Sequence, residues 1–356
     1  MNAATAPRAE PLSTRLLILD PGTGRMSHGF VRDLTRILRA GDLLVVNDAA
    51  TLPGSLRGRG PRGEPLELRL AGPGHGRDWT AVVLGDGDWR ARTEDRPAPA
   101  RLVEGDVVTI GADLRARVAR VRPESPRLVD ITFDAEGAAL WRSLYRHGRP
   151  VQYSYLERPL ALWDIQSAYA GRPWAVEPPS AGRPLTWGLL AALRAAGVRT
   201  AAVTHAAGLS STGDAALDAY LPLPERFDVP AETAAAVRRA RALGHRVVAV
   251  GTTVVRALES VAAEDGTVQG REGVTDLVIR TGYRPRVVDG ILTGLHEPGS
   301  SHFSLLSAFA PAARLEAAFR AAESDGYLAH EFGDSMLMLA NAAPETGAIS
   351  PTASRA

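Results

Sequence analysis

At 356 residues the chain is long enough to bury a large core and to hold two domains, and its 45% hydrophobic and 23% charged residues are those of an ordinary globular protein. It has no cysteine, which excludes disulfides, thiolate metal sites and cysteine nucleophiles, and all 41 basic residues are arginine, which excludes Schiff-base lysines and a P-loop lysine. A formal charge of +1 carries no global nucleic-acid signature, although a local patch can still hold a nucleic acid.

Heavy use of Ala, Arg, Gly and Pro without Lys fits a GC-rich coding sequence, so the arginines are not in themselves a sign of phosphate recognition. Long apolar runs are absent and the first residues lack the apolar centre of a signal peptide, which makes the cytoplasm the expected location and a membrane partner unexpected.

In chain order, Arg15–Asp20 reads as a strand closed by the Pro21–Gly24 turn, a short helix covers Val31–Leu38, and Gly41–Asp48 is a buried strand with polar residues at its carboxyl end. From about Leu52 to Asp134 the texture changes to short β runs split by Gly and Pro: Leu66–Leu70, Trp79–Leu84, Asp106–Ile110, Leu114–Val121 and Leu128–Phe133. This predicts a small β-barrel over residues 52–134, inserted into an α/β domain made of residues 1–51 and 135–342. After a connection rich in Pro and Tyr around Pro150–Arg158, helices are expected at Trp187–Ala196, Ala231–Leu243, Val254–Ala263, Ser301–Ala310 and Pro311–Ala322. Strands are expected at Thr200–Thr204, Arg246–Val250, Asp276–Arg280 and Val287–Leu295. Such alternation predicts an α/β fold with a mostly parallel sheet. The Ala/Pro/Ser-rich residues 343–356 read as a disordered tail.

Three segments can carry chemistry. Arg246–Ser260 is a strand, a tight turn and a helix in succession; Gly251 allows close approach to the backbone, and Thr252 or Thr253 can cap the helix and leave N–H groups for an anion or a ribose hydroxyl. An ordinary capped βα turn explains the same residues. Val288–His302 gathers His296, Glu297, Ser300, Ser301 and His302 between a strand end and a helix start, the edge where ligands of open α/β sheets collect. There His296 and Glu297 can act as base and orienter, while Ser301 can equally be a helix cap. His296, Glu297 and His302 are too close in sequence for a standard zinc spacing, so no metal is expected. The third segment, Thr200–Asp214, places His205 at a strand end as a candidate proton carrier. Asn47 ends another strand. The absence of a Gly-x-Ser-x-Gly elbow argues against a serine hydrolase.

The order of these blocks resembles one family. Gly41–Asp48, Gly251–Ser260, Val287–Thr293, His296 with Pro298 and Ser300, Ser307–Ala310 and Gly333–Met336 are similar to blocks of the S-adenosylmethionine:tRNA ribosyltransferase-isomerases of queuosine biosynthesis, over about Arg15–Leu339. The resemblance implies an α/β domain interrupted by a β-barrel. It also implies S-adenosylmethionine as a ribosyl donor: a base removes a proton beside the sulfonium, the aminomethyl group of a 7-deazaguanine in tRNA takes the ribosyl unit, adenine and methionine leave, and an epoxycyclopentanediol remains. No metal or redox cofactor and no DNA partner are implied.

The chain departs from the family at several polar positions. Pro184 and Leu223 stand where the family has histidines, Tyr153-Ser154 replaces a Pro-Pro pair, and the imidazole of the family's Leu-His-Val-Gly run is displaced by one residue to His205. Tyr155, Gln166, Tyr169 and Glu225 are retained. On this reading Asn47, Gly251, Thr252, Thr253, Ser300 and Ser301 contact the donor, and His296, then Glu225 and His205, are the candidates for catalysis. A paralogue with a small-molecule acceptor and a nucleoside-binding protein without catalysis are the alternatives.

Overall fold

The computed structural model describes residues 1–71 and 76–342; the expected disordered tail, residues 343–356, lies outside the described residues. After the short strand Asn2–Ala3, which pairs with Leu328–Ala329, the chain forms the hairpin β1 (Arg15–Leu19) and β2 (Met26–Phe30), then enters β3 (Leu43–Asn47). Next come the six strands β4 (Ser55–Arg59), β5 (Pro65–Leu70), β6 (Asp78–Leu84), β7 (Val107–Gly111), β8 (Leu114–Val121) and β9 (Leu128–Phe133). They close in the order β8-β9-β6-β5-β4-β7 into an antiparallel barrel. Helix α1 (Gly137–His147) follows and packs Leu140 and Leu144 into the barrel core.

The closing seam shows why local residue choice matters. β4 meets β7 through the single pair Arg59–Thr109, and a Cβ on the neighbouring Gly58 would lie 2.7 Å from the Thr109 carbonyl oxygen. Only glycine lets the two backbones approach there. Closure also removes the exposed edges that an open sheet of these strands would present.

The remainder returns to the large sheet: α2 (Trp187–Ala195), β10 (Arg199–His205), β11 (Glu225–Val229), α3 (Ala231–Ala242), β12 (Val247–Val250), α4 (Thr252–Ser260), β13 (Arg271–Thr275), β14 (Gly290–Gly294), α5 (Ser301–Leu306), α6 (Ala312–Ser324) and β15 (Ser335–Leu339). The nine strands run in the order β13-β11-β10-β3-β12-β14-β15-β1-β2. Strands β10, β3, β12 and β14 form a central parallel block, and antiparallel pairs flank it on both sides.

Strand alternation divides the core. Leu43, Val45, Val247, Ala249 and Ile291 point to the face covered by α3, α4 and α6, while Leu44, Val46, Val248, Val250 and Leu292 point to the face covered by α2 and by Leu34 and Ile37. Because both faces are covered, these strands read as continuous apolar runs.

Some expected elements moved. The strand expected at Asp276–Arg280 falls instead on Arg271–Thr275, because the Thr275 hydroxyl turns back to accept the Leu277 N–H and ends the strand there. Residues 276–280 are irregular, and Leu277–Arg280 line a cavity. The helix expected over Val31–Leu38 is a 3-10 turn, Val31–Asp33, followed by one α turn, Leu34–Ile37.

Candidate functional site

A cavity of about 580 Å³ opens at the carboxyl ends of the central parallel strands, within the range of roughly 300–1,000 Å³ usual for ligand pockets. Its floor begins where β12 ends. Gly251 adopts φ +88°, a left-handed conformation that favours glycine, and so turns the chain directly from β12 into α4. The first N–H groups of α4 therefore face the cavity beside Thr252 and Thr253, and the positive end of the helix dipole is directed there.

β14 supplies a second wall. Beyond Gly294 the chain runs through His296 to Ser300, whose hydroxyl accepts the Phe303 N–H and so caps α5. Ser300, Ser301, His296 and His302 all line the cavity. The rings of His296 and His302 stack with centroids 4.7 Å apart, and Thr293 Oγ1 lies 2.9 Å from His296 Nε2. Burial, then the proximity of His302 and His330, holds the His296 imidazole well below its ordinary pKa. At neutral pH it is uncharged and has a lone pair with which to accept a proton.

Glu225, the first residue of β11, reaches the cavity from the opposite side. One carboxylate oxygen accepts the Gly208 N–H at 2.6 Å and the other pairs with the Arg256 guanidinium of α4. Burial nevertheless raises its pKa above the ordinary glutamate value. His205 is not among the cavity-lining residues: it is fully buried, with Nε2 3.6 Å from Glu225 Oε2 and no hydrogen bond at either ring nitrogen. Its place is behind Glu225, where burial and then Arg256 hold its pKa well below the ordinary value. Ala207 and Gly208, just beyond it, do line the cavity.

Asn47 likewise lies one layer behind the wall. Its amide donates to the His205 carbonyl at 3.0 Å and to Thr253 Oγ1 at 3.1 Å, and its oxygen accepts the N–H groups of Ala49 and His205. It ties β3, β10 and the start of α4 together and fixes Thr253. Of the positions that depart from the family, Pro184 lines a small cleft beside the main cavity and Leu223 packs against the barrel core.

Sequence reading missed the far end of the cavity. Glu177 and Glu331 line it; the Tyr153 hydroxyl donates to Glu177, which also accepts the Ser210 N–H at 3.0 Å, and the Tyr155 hydroxyl donates to Glu331. Tyr155 stacks on Tyr153 and on His330, with centroids 6.1 Å and 4.3 Å away. Burial pushes the Glu177 carboxyl up to about 7. No spacing rule links these residues, which come from four separate segments of the chain; the only sequence signal was two tyrosines in the Pro150–Arg158 connection. Among the described residues, no group of three or more potential metal ligands is brought together.

Fold and cavity define an α/β protein with an inserted β-barrel and a cavity at the carboxyl edge of its parallel strands. The family profile described as queuosine biosynthesis protein matches residues 1–338. An S-adenosylmethionine:tRNA ribosyltransferase-isomerase of Anaeromyxobacter dehalogenans is 38% identical, across 94% of this chain and 95% of its own length. One from Moorella thermoacetica is 34% identical, across 92% and 93%. The crystal structure of S-adenosylmethionine tRNA ribosyltransferase from Thermotoga maritima aligns with a TM-score of 0.51 at 27% identity, covering 95% of this chain and 96% of the other. The chain belongs to the S-adenosylmethionine:tRNA ribosyltransferase-isomerase family.

Proposed function

We propose that the chain transfers and isomerises the ribosyl moiety of S-adenosylmethionine onto 7-aminomethyl-7-deazaguanine in tRNA, with the cavity as its active site. One observation carries this reading: the Gly251–Thr253 turn and the His296–Ser301 segment, far apart in sequence, form adjoining walls of one cavity. Gly251, Thr252 and Thr253, with Ser300 and Ser301, supply N–H and hydroxyl groups for the ribose and adenine of the donor. Asn47 acts indirectly, by fixing Thr253.

His296 is the proposed base. Its neutral imidazole faces the cavity, and a proton on the carbon beside a sulfonium is acidic enough to be removed by a positioned base without a metal. Glu225 holds Arg256 at the cavity wall, and His205 supports Glu225 from behind, so His205 acts as a positioning residue. Among the described residues no helix is long and apolar enough to cross a membrane.

The test is to incubate the protein with S-adenosylmethionine, with and without tRNA carrying the 7-aminomethyl-7-deazaguanine, and to follow adenine and methionine. Release of both only with that tRNA is the expected result. Binding or cleavage of the donor without any response to the tRNA would replace this reading with a small-molecule acceptor.

A further inference from the structure

Buried carboxylates elsewhere in the molecule are answered by cations or by several N–H groups. Glu67 in the barrel is paired with Arg69 and Arg96, Glu225 with Arg256, and Asp334 with Arg8, while Glu259 accepts the N–H groups of Arg286, Val287 and Val288. Glu177 and Glu331 are different. Both line the cavity, and among the described residues neither has an ion-pair partner. The protein contacts of Glu177 all fall on Oε1, from the Tyr153 hydroxyl and the Ser210 N–H, which leaves Oε2 without a partner. Glu331 adds its charge to that of Glu177, and Arg69 and Arg183 act on the two carboxylates only from beyond ion-pair distance, so a cationic ligand in the cavity would complete the pair.

We propose that Glu177, braced by Tyr153 and flanked by Glu331, receives the primary ammonium group of the acceptor base and takes one proton from it. The inference rests on the tRNA reading above and adds to it the group that prepares the nucleophile. A protonated amine has no lone pair, so an N–H bond must break before the C–N bond to the ribosyl unit forms. The electron pair of that bond stays on nitrogen and the proton passes to Glu177 Oε2, so that ammonium and carboxylate become amine and carboxylic acid with no net change of charge. A carboxyl held near 7 binds that proton far better than an ordinary glutamate does. The Tyr153 and Tyr155 phenols are pushed above their ordinary values by burial and then by the adjacent carboxylates, so they remain protonated and act as donors that fix the carboxylates in place. The donor also carries an ammonium, on its methionyl arm, but that group leaves unchanged and needs no base.

The experiment compares two anticodon stem–loop RNAs, one carrying the 7-aminomethyl base and one the uncharged 7-cyano base, by direct binding to the wild-type chain and to Glu177→Gln and Tyr153→Phe. The wild type should prefer the amine RNA by about tenfold to a hundredfold, the size of a hydrogen bond to a charged group. Glu177→Gln should reduce that preference to about threefold or less while leaving S-adenosylmethionine binding unchanged, and Tyr153→Phe should reduce it in part. An undiminished preference in Glu177→Gln overturns the inference. So does equal binding of both RNAs by the wild type, in which case the tRNA reading survives alone. Weakened S-adenosylmethionine binding with an intact amine preference would move the carboxylates to the donor's methionyl ammonium. If neither RNA binds, the tRNA reading falls and this inference with it.

Discussion

Replacing Arg256 with methionine tests how the cavity wall is held together. Arg256 and Glu225 are 6% and 7% exposed; among the described residues the guanidinium is the only charged partner of the carboxylate, and the neutral His205 ring lies 3.6 Å away. Removing one member of a buried pair costs about 3–5 kcal/mol, because the other charge stays buried without compensation. Glu225 can escape that cost by binding a proton. Its folded pKa, already raised, rises further without Arg256, so its contribution to stability is present below the unfolded value of 4.5 and is lost as pH increases toward the folded value. The destabilisation should therefore be largest at pH 8 and shrink toward pH 5, by at most about 1.4 kcal/mol per pH unit. Urea unfolding of wild type and variant at both pH values measures it, and adding Glu225→Gln to the methionine variant should recover a large part of the loss at pH 8. A loss below about 1 kcal/mol at pH 8, or an identical loss at both pH values, would refute the argument.

His296→Ala should abolish adenine release while leaving the unfolding midpoint close to wild type, and full activity in that variant removes His296 from the mechanism. Glu177→Gln should be more stable than wild type at pH 8, by up to about 3 kcal/mol, since a carboxyl raised from 4.5 to about 7 loses stability as pH rises through that window; a difference that does not close on approaching pH 4.5 contradicts it. Asn47→Ala removes four hydrogen bonds and should cost about 2–4 kcal/mol, with a raised KM for the donor as Thr253 loses its anchor; unchanged stability by urea titration counts against the strut. Acid should destabilise the chain through His205: with its folded pKa lowered, stability is full above about 6.5 and falls as pH drops below it, by about 1.4 kcal/mol per pH unit at most. His205→Gln, compared with wild type by thermal melts from pH 7 to 5, should flatten that slope.

The parts of the fold most legible in sequence were those whose burial is two-sided. Leu43–Val46 and Val247–Val250 have no polar face, and only a covered parallel strand tolerates that. The barrel was legible as a change of texture, although Ser55–Arg59 went unseen because glycine and arginine sit where apolar residues would announce a strand. Met26–Phe30 and Glu225–Val229 were hidden for a related reason: they pair antiparallel towards the sheet margins, where polar residues are tolerated. The Gly251 turn could be found because strand, glycine and helix follow one another directly. His205 was visible as an imidazole at a strand end, but the turn of that ring toward Glu225 depends on where β11 docks, which no local pattern encodes. Glu177 gave no signal at all; a glutamate before Pro178-Pro179 looks like loop until Tyr153 and Ser210 are brought against it.

The way the barrel is attached bears on how the molecule unfolds. Where the chain enters and leaves it, Ser55 and Arg149 exchange both backbone hydrogen bonds at 2.9 Å, so the excursion begins and ends at one point. While the barrel is folded, the rest of the chain behaves as though that long segment were a tight loop. Melting the barrel alone would turn it into a floppy loop of nearly a hundred residues, with a closure cost of roughly 4 kcal/mol imposed on the sheet domain. Loss of the insert thus weakens its host, and the two units are expected to denature together in one cooperative transition despite having separate cores.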